Sequence, residues 1–128
     1  MSASTIELIY RFIEAINRGG PEGDGFQFLA EDVEWRTPAE ALEPAVFRGP
    51  DAIRRMWSSG SERPTLRLVE LVDLGDAVFA AYVVRENGSG EEPQANLRFA
   101  VITIRDHRAV LVREYVNGTA ALAAARLS

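Results

Sequence analysis

The chain has 128 residues, 47% of them apolar, with a formal net charge of −5 and no cysteine. That length and apolar share suit one domain, 1–128, with a sizeable core. The interspersed, net acidic charge argues against nucleic acid and against an anionic membrane surface, and the missing cysteines exclude disulfides, thiolate metal sites and a thiol nucleophile.

The longest apolar run, Ala77 to Val84, is too short to span a bilayer. The opening MSASTIEL has no basic region followed by an apolar one, so no secretory signal is visible. A soluble cytoplasmic protein is the default expectation.

Ser4 to Arg18 reads as the clearest helix. Ser4 and Glu7 have capping-box spacing. Ile6, Ile9, Ile13 and Ile16 repeat at helical period, widened by Leu8, Phe12 and Ala15, while Glu7, Arg11, Glu14 and Arg18 form the wet side. Tyr10 lies near the border of the stripe, where its ring can turn inward. Gly19-Gly20-Pro21 ends the helix, and PEGDG at Pro21 to Gly25 is a loop.

A short helix follows through Phe26, Phe28 and Leu29. Asp32 to Pro38 reads as a strand, with Val33, Trp35 and Thr37 on one face and Glu34 and Arg36 on the other. TPAEALEPAVFRG has no clear period and reads as a loop or a short turn of helix. Gly49-Pro50-Asp51 opens another helix, whose apolar side is Ile53, Met56 and Trp57, and Ser58 to Pro64 breaks it. Thr65 to Asp73 and Ala77 to Arg85 are strands, and Asn87-Gly88-Ser89-Gly90 is a strong turn signal.

The next stretch, NLRFAVITI–RDHR–AVLVREYV, is β-branched and aromatic without glycine or proline, which predicts a paired hairpin. A three-residue turn at its tip keeps even positions opposite even ones. Arg98 then lies across from Glu114 or one pair away, on a largely apolar face near Asn96. The odd positions, including Leu97, Phe99, Val101, Leu111 and Tyr115, are also mostly apolar, so both faces of this sheet need cover. Thr119 to Leu127 is alanine-rich and closes the chain as a short helix. The order predicts an α+β fold, with helices on one face of a mostly antiparallel sheet.

The element order, FLAEDVEW at Phe28 to Trp35, FRGPDAI at Phe47 to Ile53 and REYVNG at Arg113 to Gly118 resemble the SnoaL-like group. That group lies in the superfamily of nuclear transport factor 2, with ketosteroid isomerase, polyketide cyclases and limonene-epoxide hydrolase. The resemblance implies a curved sheet wrapped round a long helix as a cone, a pocket at its mouth, and homodimers through the outer sheet face. It does not by itself imply a reaction. The isomerase base matches Thr37, ahead of Pro38, and its oxyanion donors match Phe12 and Ala100, so that chemistry lacks its groups. The epoxide-hydrolase acid–arginine–acid set keeps Arg98 and Glu114 but meets Ala100 in the third place. The only histidine, His107, falls in a turn rather than in the pocket where a cyclase uses one.

Arg98 and Glu114 are therefore the candidate catalytic pair, read as an acid–base or anchoring pair in an apolar cavity or as a salt bridge that fixes strand register. Tyr10, Trp35, Thr37, Trp57, Tyr82, Asn96 and Val112 are candidate ligand-binding residues. Each has a plainer role in core, turn or rim. No metal constellation or phosphate loop is visible, and no cofactor is expected. The expected function is binding of a small apolar organic molecule in the cone, with proton-transfer chemistry of an isomerase or cyclase type as its catalytic form. The alternative is a non-catalytic binding or dimeric scaffold module with a filled cone.

Overall fold

The computed structural model of the chain describes residues 2–19, 24–38, 44–58, 64–86 and 97–127. The expected turn at Asn87 to Gly90 and most of the PEGDG loop lie outside them.

The first helix, α1, spans Ser2–Gly19. It begins two residues before Ser4, which places that serine in the first turn rather than at the expected cap. Of the expected stripe Ile9, Ala15 and Ile16 are buried, Ile6, Leu8, Phe12 and Ile13 are partly so, and Thr5 joins the buried side unannounced by the spacing. Its outer side carries two ion pairs four residues apart, Glu7–Arg11 and Glu14–Arg18. A tight turn of helix, Asp24–Phe28, then leads into strand β1, Leu29–Arg36. Gly25 makes this turn possible. A Cβ there would stand 2.5 Å from Ile16 Cδ1, and Ile16 is fully buried.

The segment after β1 contains a strand with no usable sequence period. Strand β2 is only Val46–Arg48, and it pairs antiparallel with β1, placing Phe47 opposite Trp35. Thr37 closes this hairpin. Its amide donates to Ala45 O at 3.0 Å, while its hydroxyl donates to the same oxygen at 3.1 Å and accepts from the Ala45 amide at 2.7 Å. Gly49, at φ +84°, turns the chain into helix α2, Pro50–Ser58, with Ile53 fully buried beneath it.

Strands β3, Pro64–Asp73, β4, Ala77–Glu86, β5, Leu97–Arg105, and β6, Arg108–Tyr115, complete the sheet. The order is β2-β1-β6-β5-β4-β3. All neighbours are antiparallel except β1 and β6, which run parallel with Trp35 beside Val112. The sheet is mixed, curved and open, and with the helices it makes the expected cone-shaped α+β fold.

The β5–β6 hairpin reaches its even-to-even register by a different route from the one expected. Its turn has two central residues, Asp106 and His107, both at positive φ (53° and 64°), between the paired Arg105 and Arg108. This is the twisted turn that suits a two-residue hairpin. Such a turn alone would pair even with odd. A bulge at Val110 restores the phase, because Ile104 faces Ala109 and Thr103 faces Leu111. Beyond the bulge Ala100 faces Glu114.

The concave face packs Val33, Trp35, Leu66, Ala80, Tyr82 and Val112 toward α1. The convex face is also covered from within the chain. Helix α3, Gly118–Leu127, lies on it with Ala121 fully buried against Phe79, Ala81 and Val101. Asn117 caps α3 by accepting the Ala120 amide at 2.7 Å. Gly118 permits the close approach, since a Cβ there would be 3.3 Å from the Phe99 ring.

Candidate functional site

Alternation along four strands builds the floor of a hollow. Trp35 on β1, Tyr82 on β4, Ala100 and Ile102 on β5 and Val112 on β6 all point to the concave side. Helix α1 roofs it with Leu8, Ile9, Phe12 and Ile13. The hollow encloses about 610 Å³ of space free of atoms, its open mouth included. The part roomy enough for the centre of a water molecule to move in is about 40 Å³. Among the described residues fifteen line it, and of those only Trp35 and Tyr82 carry a polar side-chain atom.

Those two polar atoms converge on one carboxylate. Trp35 Nε1 donates to Glu114 Oε1 at 2.9 Å, and Tyr82 OH donates to Oε2 at 3.1 Å. Each oxygen of Glu114 thus takes a hydrogen bond from a separate, buried aromatic donor. Parallel pairing sets Trp35 next to Val112 and hence near Glu114. Antiparallel pairing sets Tyr82 opposite Arg98, beside the Ala100–Glu114 pair. Tyr82 is held well above its ordinary pKa of 10.0, first by burial, then by the charge of Glu114 and the bond to it; Arg98 opposes the shift. The phenol therefore stays protonated and remains a donor to Glu114.

Arg98 does not sit with Glu114 as an ion pair. Its side chain is exposed, and among the described residues no salt bridge joins the two. The register explains this: Glu114 faces Ala100, so Arg98 falls one pair further toward the sheet end, where water reaches it. Its charge still acts on Tyr82 through space.

The other expected site residues divide. Trp35, Tyr82 and Val112 line the hollow. Tyr10 turns outward and is 55% exposed, because Leu8, Ile9 and Phe12 take the inward positions around it. The Thr37 hydroxyl is engaged by Ala45 rather than aimed inward. The side chain of Trp57 and the whole of Asn96 lie outside the described residues. Phe12 and Ala100, the positions matched by resemblance to an isomerase's oxyanion donors, are apolar wall.

One positioning residue carried no recognisable signal. Asn17, near the end of α1, accepts the Leu66 amide at 2.7 Å and donates to the Leu66 carbonyl at 2.8 Å. Its amide thus acts as a one-residue strand partner on the open edge of β3. Nothing in a helical period marks an asparagine for that role.

Among the described residues no group of His, Asp and Glu could hold a metal ion, and no helix is long and apolar enough to cross a membrane.

An NTF2-like protein from Burkholderia xenovorans LB400 shares 25% identity, over 98% of this chain and 97% of that one, with a TM-score of 0.66. Bal32a, from a soil-derived mobile gene cassette, superposes with a TM-score of 0.71 at 17% identity, over 94% and 95% of the two chains. A de novo designed protein with a curved β-sheet matches with a TM-score of 0.67 at 16% identity, over 100% and 99%. No curated protein matches the chain. The family model described as SnoaL-like domain matches residues 9–112, a span from α1 through β6 that holds fourteen of the fifteen lining residues. The chain belongs to the SnoaL-like family and has the NTF2-like fold.

Proposed function

We propose that this protein binds a small, apolar organic molecule in the hollow between α1 and the concave face of the sheet. The observation that carries the reading is the hollow itself: it is open at its mouth, and among the described residues hydrocarbon side chains make up nearly all its wall. Burying apolar ligand surface there yields about 25 cal/mol per Å². The site's polar chemistry supports binding more than catalysis. Both oxygens of Glu114 already accept hydrogen bonds, and Arg98 is not beside it to hold an oxyanion. Thr37, Phe12 and Ala100 supply no base or oxyanion donor.

Displacement of a fluorescent apolar probe, with native mass spectrometry for a co-purified ligand, tests the proposal. Saturable binding is expected in the parent chain and is expected to be lost in Ala100→Phe, which fills the floor. Ala80→Val, a smaller intrusion, is expected to weaken it in part. Failure of every apolar probe to saturate would leave the filled-cone scaffold as the better account.

A further inference from the structure

Along β5 and β6 two charged side chains stand on the concave face, Arg98 and Glu114. The carboxylate is engaged, since Trp35 and Tyr82 each give it a hydrogen bond. The guanidinium is not: Arg98 is exposed and forms no ion pair with any described residue.

Strand register fixes how near Arg98 stands to the hollow. It is the direct antiparallel partner of Tyr82, and Ala100 follows two residues on along the same face. Tyr82 and Ala100 both line the hollow. Directly opposed side chains start about 5 Å apart, and alternate residues of one strand about 7 Å apart. The base of Arg98 is therefore one step from the lined wall, and its exposure shows that water reaches the concave face there. Its charge is felt at Tyr82.

A hydrocarbon body can lie against that wall, but an ionised end cannot follow it in, because burying a charge without a partner is costly. Left in water beside Arg98, an anionic end meets a cation that no described acid neutralises. A cationic end meets like charge. Resting on the binding role proposed above, we infer that the ligand is a small amphiphilic acid, with its hydrocarbon part in the hollow and its carboxylate outside on Arg98. The wider field works the other way: the chain carries a net charge of −5, and Glu114 lies one pair from Arg98. A preference for an anion would thus have to come from Arg98 itself.

The test uses the full chain and three probes that share one eight-carbon chain: octanoate, octanol and octylamine, titrated by calorimetry at neutral pH. Octanoate is expected to bind roughly two- to fivefold tighter than octanol, the scale of an exposed ion pair, and octylamine weakest. The gap between acid and alcohol is expected to narrow as salt is added. In Arg98→Gln the acid-to-alcohol ratio is expected to fall to about one or below, whereas Arg98→Lys, which keeps the charge, is expected to retain most of it. An acid bound no tighter than the alcohol, or a ratio that survives Arg98→Gln, would overturn the inference. Failure of all three probes while another apolar probe saturates would overturn this inference alone. Failure of every probe would remove the binding role with it.

Discussion

At the scale of single residues, Tyr82 links the site to pH. Its folded-state pKa lies above the ordinary 10.0, chiefly because it is buried, so the folded chain keeps a proton that the unfolded chain releases above that value. The unfolded state then binds fewer protons, and stability falls as pH rises. The contribution is whole below pH 10 and is lost as pH climbs through the folded pKa. Chemical denaturation of the parent chain is therefore expected to show a falling alkaline limb above about pH 10. In Tyr82→Phe that limb is expected to flatten, and stability at neutral pH to drop by about 1 kcal/mol for the lost hydrogen bond. An identical limb in both proteins would assign the alkaline loss to other groups.

Among the elements, two local devices hold the sheet in register. The first is the clamp of Asn17 on Leu66, where both partners are protein groups on an otherwise open strand edge. Asn17→Ala is expected to cost about 1–3 kcal/mol, since it strands a largely buried amide and carbonyl. Hydrogen exchange at the Leu66 amide is expected to speed up more than at β4 amides. Equal acceleration everywhere would make the effect global rather than local. The second device is the Asp106-His107 turn, where two side-chain-bearing residues sit at positive φ. Asp106→Asn together with His107→Gly supplies residues that favour that geometry. A gain of roughly 1 kcal/mol in thermal or denaturant unfolding is expected.

The same elements show where sequence reading succeeds and where it stops. Long periodic segments declare themselves: α1 by its isoleucine stripe, β4 and β5 by β-branched and aromatic runs. Strand β2 does not, because three residues carry no period, and its pairing depends on the Thr37–Ala45 clamp. Glu114 is visible as a charge among apolar neighbours, yet its partners are not. They come from β1 and β4, and only the parallel β1–β6 ladder brings Trp35 to it. Arg98 illustrates the converse. A shared face placed it with Glu114 on paper, whereas a displacement of one pair puts it in water.

At the scale of the whole molecule, the outer sheet face is where a partner subunit is expected by resemblance, and α3 lies on it. Ala121 and Leu122 cover Phe79, Phe99 and Val101, and Gly118 allows the helix to come close. Removing 118–128 would uncover a contiguous apolar surface. The truncated chain is expected to melt lower and to self-associate in sedimentation experiments at concentrations where the parent chain does not change state. A truncated chain with unaltered melting and mass would show that α3 contributes no cover.

The lone parallel ladder also bears on how the chain is made. Strand β1 leaves the ribosome well ahead of its neighbour β6, with β2, α2 and β3 to β5 made in between. Until then the nascent chain has only the three-residue β2 to pair with β1, whose opposite edge stays open to other chains. Completion of the native sheet therefore waits on β6, and the loop to be closed holds β2, α2 and β3 to β5.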